Sequence, residues 1–227
     1  MTIKINYLKK STSKLSANVV FFTNDKFSIN HLKKYISNIE FNYINDLLKS
    51  SDLKKNIFVY ELNSKKKIVL ISAKSNLKTS DIENLGAEFY GRINYGKNSE
   101  YFINSDTVVA KYDNFLGHFL HGLKLKSYEF KKYKSKKENR FLSINVIGNK
   151  NKPSAQTQLK FKALEEGAFF ARDLVSEPGN ILHPDEYAKR LISLKKNRLK
   201  VNIYDEKKLR KLGMHSLLGV GMGSVRG

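Results

Sequence analysis

Cysteine is absent from the 227 residues. That excludes disulfides, thiolate metal ligands and thiol nucleophiles, and it suits a cytoplasmic protein. Long apolar runs are missing as well. The run Asn18-Val19-Val20-Phe21-Phe22 is strand-sized, far short of the ~20 residues needed to cross a bilayer. The start, Met1 to Tyr7, has no apolar core of the secretory-signal type, so a chain without membrane contact is expected. No internal repeat or low-complexity tract is visible. Acidic residues are scarce, 21 Asp and Glu against 42 Lys and Arg, for a net charge of +21. Arginine is scarce in turn: seven residues, against 35 Lys. Arg suits bidentate phosphate and base recognition whereas Lys is a hydrated point charge, so this excess favours salt-sensitive adhesion to polyanions over specific nucleic-acid recognition.

What is present is ample core material, 41% hydrophobic with 14 Phe and 12 Tyr. Short β-branched and aromatic runs predict strands at Ile3–Leu8, Asn18–Thr23, Ile57–Glu61, Lys67–Ala73, Thr107–Tyr112 and Phe141–Ile147. Helical patterns alternate with them. Ser80 and Glu83 make a capping-box pattern, followed by Leu85, Phe89 and Ile93 on one buried face. A second helix over Asn114–Phe130 gathers Phe115, Leu116, Phe119, Leu120 and Leu123. Such alternation predicts an α/β class with a mixed or mostly parallel sheet flanked by helices.

Gly148 to Ser154 carries Gly and Pro between two periodic regions and predicts a linker. A long helix then follows over Ala155–Ser176, with Phe161, Leu164, Ala168, Ala171 and Val175 on one stripe. Pro178 should stop it and Gly179 permit a turn. Pro184 fits the first position of a further helix, with Asp185 and Glu186 at the positive end of its dipole. Leu199–Tyr204 alternates like a strand. Asp205 can cap a short helix that Gly213 closes.

Candidate chemistry is thin. His118 and His121 lie three apart on one helix and could share a metal, but no third ligand is evident nearby. His31, His183 and His215 are isolated. Gly219-Val220-Gly221-Met222-Gly223 follows a helix rather than a strand, so turns are expected there rather than a phosphate loop. The stretch Lys124 to Arg140 holds eight Lys and Arg against two Glu. It interleaves Tyr128, Phe130 and Tyr133, a composition compatible with stacking on single-stranded nucleic acid.

Two blocks carry a resemblance. Ala171-Arg172-Asp173-Leu174-Val175-Ser176-Glu177-Pro178-Gly179-Asn180 and Leu212-Gly213-Met214-His215-Ser216-Leu217-Leu218-Gly219-Val220-Gly221-Met222-Gly223-Ser224 resemble the entry into the catalytic domain of the leucyl (cytosol) aminopeptidases. Gly122 to Lys134 is similar to a helix-and-tyrosine segment of that family's amino-terminal domain. His183 departs from the family's usual Thr before the proline, and the strand at Lys67 to Lys74 lacks the glycines that often follow it. The resemblance implies a metal-dependent peptidase releasing amino-terminal residues, often leucine, from peptides. It implies two divalent ions, zinc or manganese, which polarise the scissile carbonyl and activate water, and a cytoplasmic homohexamer.

It also implies an organisation of 1–150 as amino-terminal α/β domain, 151–178 as linker helix, and 179–227 as the beginning of an incomplete carboxy-terminal catalytic domain. The family's Lys, Asp and Glu ligand segments are not found. No residue of this chain is therefore assigned a catalytic, metal-binding or cofactor-binding role, and the chain alone is expected to be inactive. The alternative expectation is a non-enzymatic basic module for interaction or nucleic-acid binding.

Overall fold

In the computed structural model, residues 2–9, 16–74, 76–93, 98–110, 112–135 and 141–223 are described. The chain divides into two compact units, Met1–Phe169 and Phe170–Gly227.

The first unit is built on a six-stranded sheet. Its strands are β1 (Thr2–Tyr7), β2 (Asn18–Thr23), β3 (Ile57–Asn63), β4 (Lys66–Ser72), β5 (Asn98–Asn104) and β6 (Phe141–Ile147), in the order β1-β6-β5-β2-β4-β3. Every pairing is parallel except that of the hairpin β3–β4. The expected class, α/β with a mixed, mostly parallel sheet, is what forms.

Burial explains why the central strands read as continuous apolar runs. Val20 and Phe22 of β2 and Val69 and Ile71 of β4 enter one core, while Val19, Phe21, Ile68 and Leu70 enter another on the opposite face. A strand covered on both sides needs apolar residues at every position. On β1 and β6 one face is wholly apolar, with Ile3, Leu142, Ile144 and Val146 in the larger core. Their other face carries a polar ladder: Asn6 donates to Asn145 Oδ1 at 2.8 Å, and Asn145 donates to Glu100 Oε1 of β5 at 2.6 Å.

Helix α1 (Asn38–Lys49) covers the smaller core with Ile44 and Leu48. It opens on a complete capping box: Ser37 Oγ accepts from Glu40 N, and Glu40 Oε2 accepts from Ser37 N. The larger core lies under α2 (Thr79–Ile93) and α3 (Phe115–Lys126). The predicted buried face of α2, Leu85, Phe89 and Ile93, is in place. Its cap is not the predicted one. Asp81 Oδ2 accepts from Lys78 N at 3.0 Å, so the helix begins one residue earlier and Ser80 falls inside it. Glu83 turns instead to His118.

Helix α3 is shorter than predicted. Asn114, in the left-handed region at φ 55°, precedes it, and Ser127 ends it by donating its hydroxyl to Lys124 O at 2.6 Å. The two helices approach unusually closely. A Cβ on Gly86 would stand 1.9 Å from Phe119 O, and one on Gly122 would stand 1.9 Å from Glu83 O. Backbone touches backbone at both positions.

The predicted strand Thr107–Tyr112 does not form; residues 105–107 make a 3-10 turn instead, and Lys111 lies outside the described residues. The strand here is β5, which begins nine residues upstream and sends Tyr101 and Ile103 into the core. Its last pair joins Asn104 to Ile147 at the end of β6, so the following segment has no neighbour to pair with. Thr107 serves the sheet differently, its Oγ1 accepting from Phe22 N at 3.0 Å.

Gly148–Ser154, expected as a linker, is anchored. Gly148 takes φ +108°, and Asp106 Oδ1 accepts from both Asn149 N and Lys150 N at 2.7 Å. Helix α4 (Ala155–Ser176) follows with the expected bounds. Its expected apolar stripe is not buried as a whole: Phe161 is covered, but Leu164 is half exposed.

In the second unit, Glu177 and Pro178 end the long helix as expected. Ile181 N and Leu182 N both return to Pro178 O at 2.9 Å. Helix α5 (Pro184–Ser193) begins at Pro184 with Asp185 and Glu186 in its first turn. Helix α6 (Glu206–Lys211) is capped by Asp205, whose Oδ1 accepts from Lys208 N at 2.8 Å, and Gly213 follows at φ +71°. Helix α7 (His215–Gly221) closes the described chain. The predicted strand Leu199–Tyr204 finds no pairing partner among the described residues, and Leu199, Ile203 and Tyr204 remain exposed. An extended segment becomes a strand only where a neighbour completes its hydrogen bonds.

Two stability measurements test this account. Gly122→Ala should lower the unfolding free energy by about 3 kcal/mol in urea titration, because the new methyl meets backbone rather than a yielding side chain. Asp106→Ala should cost about 1 kcal/mol and speed amide exchange at Asn149 and Lys150, which lose their acceptor.

Candidate functional site

The ends of α3 and α4 bring together the chemistry-bearing side chains of the first unit. His118 and His121 do share a face of α3, as the spacing predicts, but each is engaged by a carboxylate from a different helix. His118 Nδ1 lies 3.1 Å from Glu83 Oε1 of α2, and His121 Nδ1 lies 3.2 Å from Glu165 Oε1 of α4. The ring of Phe161 sits 5.0 Å from both imidazoles. It seats over Gly117, where a Cβ would come within 2.6 Å of the ring. The pair is thus a docking point for α4.

Sequence reasoning named the histidines and missed Glu83 and Glu165. Their separations, 35 and 44 residues, leave no local signal.

Beside this joint, β1, α3 and α4 enclose a cleft of about 490 Å³. Lys124 enters it from α3 and donates to Ile3 O at 2.8 Å. Burial lowers the affinity of its amine for a proton, an effect that Glu165 opposes. Tyr7 faces the same space, its phenol pushed up to about 12 by burial and by the charge of Glu165. Glu165 is thus central to an enclosed electrostatic group. Its side chain is 13% exposed.

The residues of the two sequence blocks hold structural positions. Glu177, 1% exposed, accepts from Arg190 Nη1 at 2.9 Å, and Glu186 accepts from Arg190 Nε at 3.1 Å. The carboxylate at the end of the long helix is thereby tied to α5. Gly219 and Gly221 lie inside α7 rather than in the expected turns, Met222 and Gly223 alone forming the turn, and Ser224 lies outside the described residues. A helix interior offers no free amides for a phosphate. His183 precedes α5 without a side-chain cap bond.

In the basic segment, Tyr128 packs on Phe169 at 5.4 Å and Phe130 on Tyr133 at 5.8 Å. Lys131 pairs with Glu129, and Lys132 lies over the Tyr133 ring. Tyr128 and Phe130 are thus half-buried by packing, while Tyr133 stays 51% exposed. Lys136, Lys137 and Arg140 lie outside the described residues.

Among the described residues, no three His, Cys, Asp or Glu side chains gather as a metal site would require. No helix among the described residues is long and apolar enough to cross a membrane. In the second unit, α5, α6 and α7 bury no residue among those described. Val175 is 87%, Val220 82% and Met222 78% exposed.

Removing the Phe161 ring tests the docking of α4. Phe161→Ala should raise amide exchange over residues 155–169 at least tenfold while the sheet keeps its protection, because this is the buried anchor of the helix.

Comparison with known proteins places these features. Residues 169–227 match the model of the cytosol aminopeptidase family, catalytic domain. A probable cytosol aminopeptidase of Caulobacter vibrioides is 42% identical over 109 residues, covering 46% of this chain and 22% of that protein. One from Nitrobacter winogradskyi is 31% identical over 155 residues, covering 66% of this chain and 31% of the relative. The chain therefore spans between about a fifth and a third of the length of these relatives.

Solved structures share the fold. A tomato leucine aminopeptidase mutant superposes with a TM-score of 0.68 at 16% identity, over 93% of this chain and 46% of that one. The bottromycin maturation enzyme BotP, in complex with Mn, gives 0.66 at 14% identity, over 93% and 43%. The match over 169–227 and the curated relatives agree with the two sequence blocks: the chain belongs to the cytosol aminopeptidase family.

Proposed function

We propose that this chain supplies the amino-terminal domain and the opening of the catalytic domain of a metal-dependent aminopeptidase that releases amino-terminal residues, leucine among them, from peptides. The observation that carries this reading is the match of residues 169–227 to the family's catalytic domain. The many large apolar side chains left in solvent by that same stretch support it, because so much exposed apolar surface fits contacts still to be made. In this reading residues 1–150 form the amino-terminal domain, 151–178 the connecting helix, and 179–227 the first part of the catalytic domain. The working protein is a cytoplasmic homohexamer whose peptide substrates meet residues outside this chain.

The reading includes two divalent ions, manganese or zinc. The manganese complex of BotP supports a divalent ion for proteins of this fold. The side chains described here do not fit such a pair, since no three potential ligands converge. The ligands are accordingly assigned to residues outside this chain, which by itself should be inactive. The competing reading, a basic nucleic-acid module, keeps from the described part of Lys124 to Arg140 only the lysines and the exposed Tyr133, since Tyr128 packs on Phe169 and Phe130 on Tyr133.

Leucine p-nitroanilide hydrolysis tests both parts. The protein purified from its source should release p-nitroaniline with added manganese and lose that activity to a chelator, and its intact mass should exceed that of this chain. The 227-residue chain should release none. Metal-stimulated turnover by the chain alone would sink the assignment of the ligands, and a native protein inert under all metals would sink the peptidase reading.

A further inference from the structure

The cleft between β1, α3 and α4 has chemistry that the docking of α4 leaves unused. Lys124 is half-buried and makes one side-chain hydrogen bond, to Ile3 O. An ammonium has three donors, so two remain. Glu165 is more enclosed. One of its oxygens meets His121, and the other accepts no hydrogen bond among the described residues. The Tyr7 hydroxyl, held protonated by burial, likewise has no partner among them. Ile5, Leu120, Phe161 and Phe169 give the rest of the lining an apolar part, beside Gln158 and the exposed pair Lys162–Glu166, whose charges lie 3.8 Å apart.

These groups are partly buried with hydrogen-bonding capacity to spare, which favours a polar occupant in the space beside them. At about 490 Å³ the space is within the range of small-molecule sites and far larger than one water requires. Its charges select the occupant. A simple anion would be drawn to Lys124 but repelled by Glu165, and a simple cation the reverse. A phosphate dianion would face Lys124 and Lys162 but also Glu165 and Glu166, a poor balance. A molecule bearing both charges satisfies both groups, and an apolar body matches the aromatic and aliphatic walls.

We propose that this cleft of the amino-terminal unit binds a free α-amino acid with an apolar side chain, its carboxylate on Lys124, its ammonium on Glu165 and its side chain against Phe161 and Phe169. Such a molecule belongs to the product class of the activity proposed above, so the cleft would let the amino-terminal unit sense product. The binding itself stands on the geometry of this unit. The peptidase reading enters only through the choice of leucine as probe.

Isothermal titration of the 227-residue chain is the test, with leucine, leucinamide and 4-methylpentanoate as ligands. Leucine should bind saturably. Leucinamide, which lacks the carboxylate, and 4-methylpentanoate, which lacks the amine, should each bind at least tenfold more weakly. Lys124→Met and Glu165→Gln should each weaken leucine at least tenfold with the circular dichroism spectrum unchanged. If either variant fails to fold, the three-ligand series on the unaltered chain decides.

Absence of saturable leucine binding at millimolar concentration would overturn the proposal and leave the cleft to water. Equal binding of leucine and leucinamide, or undiminished binding in folded Lys124→Met, would overturn the assigned contacts. A native protein without peptidase activity would remove the product-sensing role but leave the titration result standing.

Discussion

The contact on which the rest of the first unit depends is the backbone-to-backbone crossing of α2 and α3 at Gly86 and Gly122. Neither position tolerates a Cβ, and the two lie on facing helices, so the helices settle at a separation fixed by main chain. That separation decides where the large side chains of α3 go. Phe119 reaches the sheet and meets Phe22 edge-on at 5.4 Å while touching Phe89 of α2 at 5.6 Å. Edge-to-face pairs of this kind add directional preference to simple burial. With α3 fixed by its core face, its other face presents Gly117, His118 and His121, and these receive Phe161 and Glu165 of α4. The docking of α4, and the cleft beneath it, are consequences of two glycines that touch neither.

The two units stand in different thermodynamic positions. The first has two contiguous cores, one on each face of the sheet, built from residues exposed by less than a tenth. The second holds its helices by local means: the Asp205 cap, the Gly213 turn and the Glu177–Arg190–Glu186 group. Local bonds of that kind rarely stabilise short helices by themselves, since most helical stability in proteins comes from packing an apolar face. A unit held by such local bonds, with no buried face among its described helices, is short of partners. That is the physical content of reading it as part of a larger catalytic domain.

Much of this was legible in the sequence, and the failures have causes. Five of the six strands were found because β-branched runs were long enough to show. Strand β5 was hidden by its polar residues: Glu100 lies on the sheet face that carries the Asn6–Asn145–Glu100 ladder rather than a helix, and Asn104 Oδ1 accepts from Asp106 N at the turn after the strand. Helix α1 carried the same Ser-x-x-Glu signal, Ser37 to Glu40, that was read for α2, and the structure forms the box at the first site and not the second. The difference is Asp81, which reaches Lys78 N and starts the helix early. The His118 and His121 pair shows the limit of spacing arguments. Periodicity put both on one face, but only the fold could bring Glu83 and Glu165 to them.

The scarcity of acidic residues gives the charge pattern a meaning that the net charge lacks. With so many lysines, a cation is available almost anywhere, and carboxylates are the limiting partner. Where they sit is therefore informative. Glu40 closes a helix cap and pairs with Lys66 at 2.6 Å; Asp106 holds the turn before α4; Glu83 and Glu165 join three helices; Glu177 ties the long helix to α5. Each lies at a joint between elements distant in sequence or at the start of a helix. The excess lysines are mostly not so placed, and a surplus charge in solvent contributes little to stability. The basic character of the chain is thus a property of its surface, and its specific architecture is written in the smaller set of acids. By the same logic Glu165 stands out, an enclosed acid with one oxygen that accepts no hydrogen bond among the described residues.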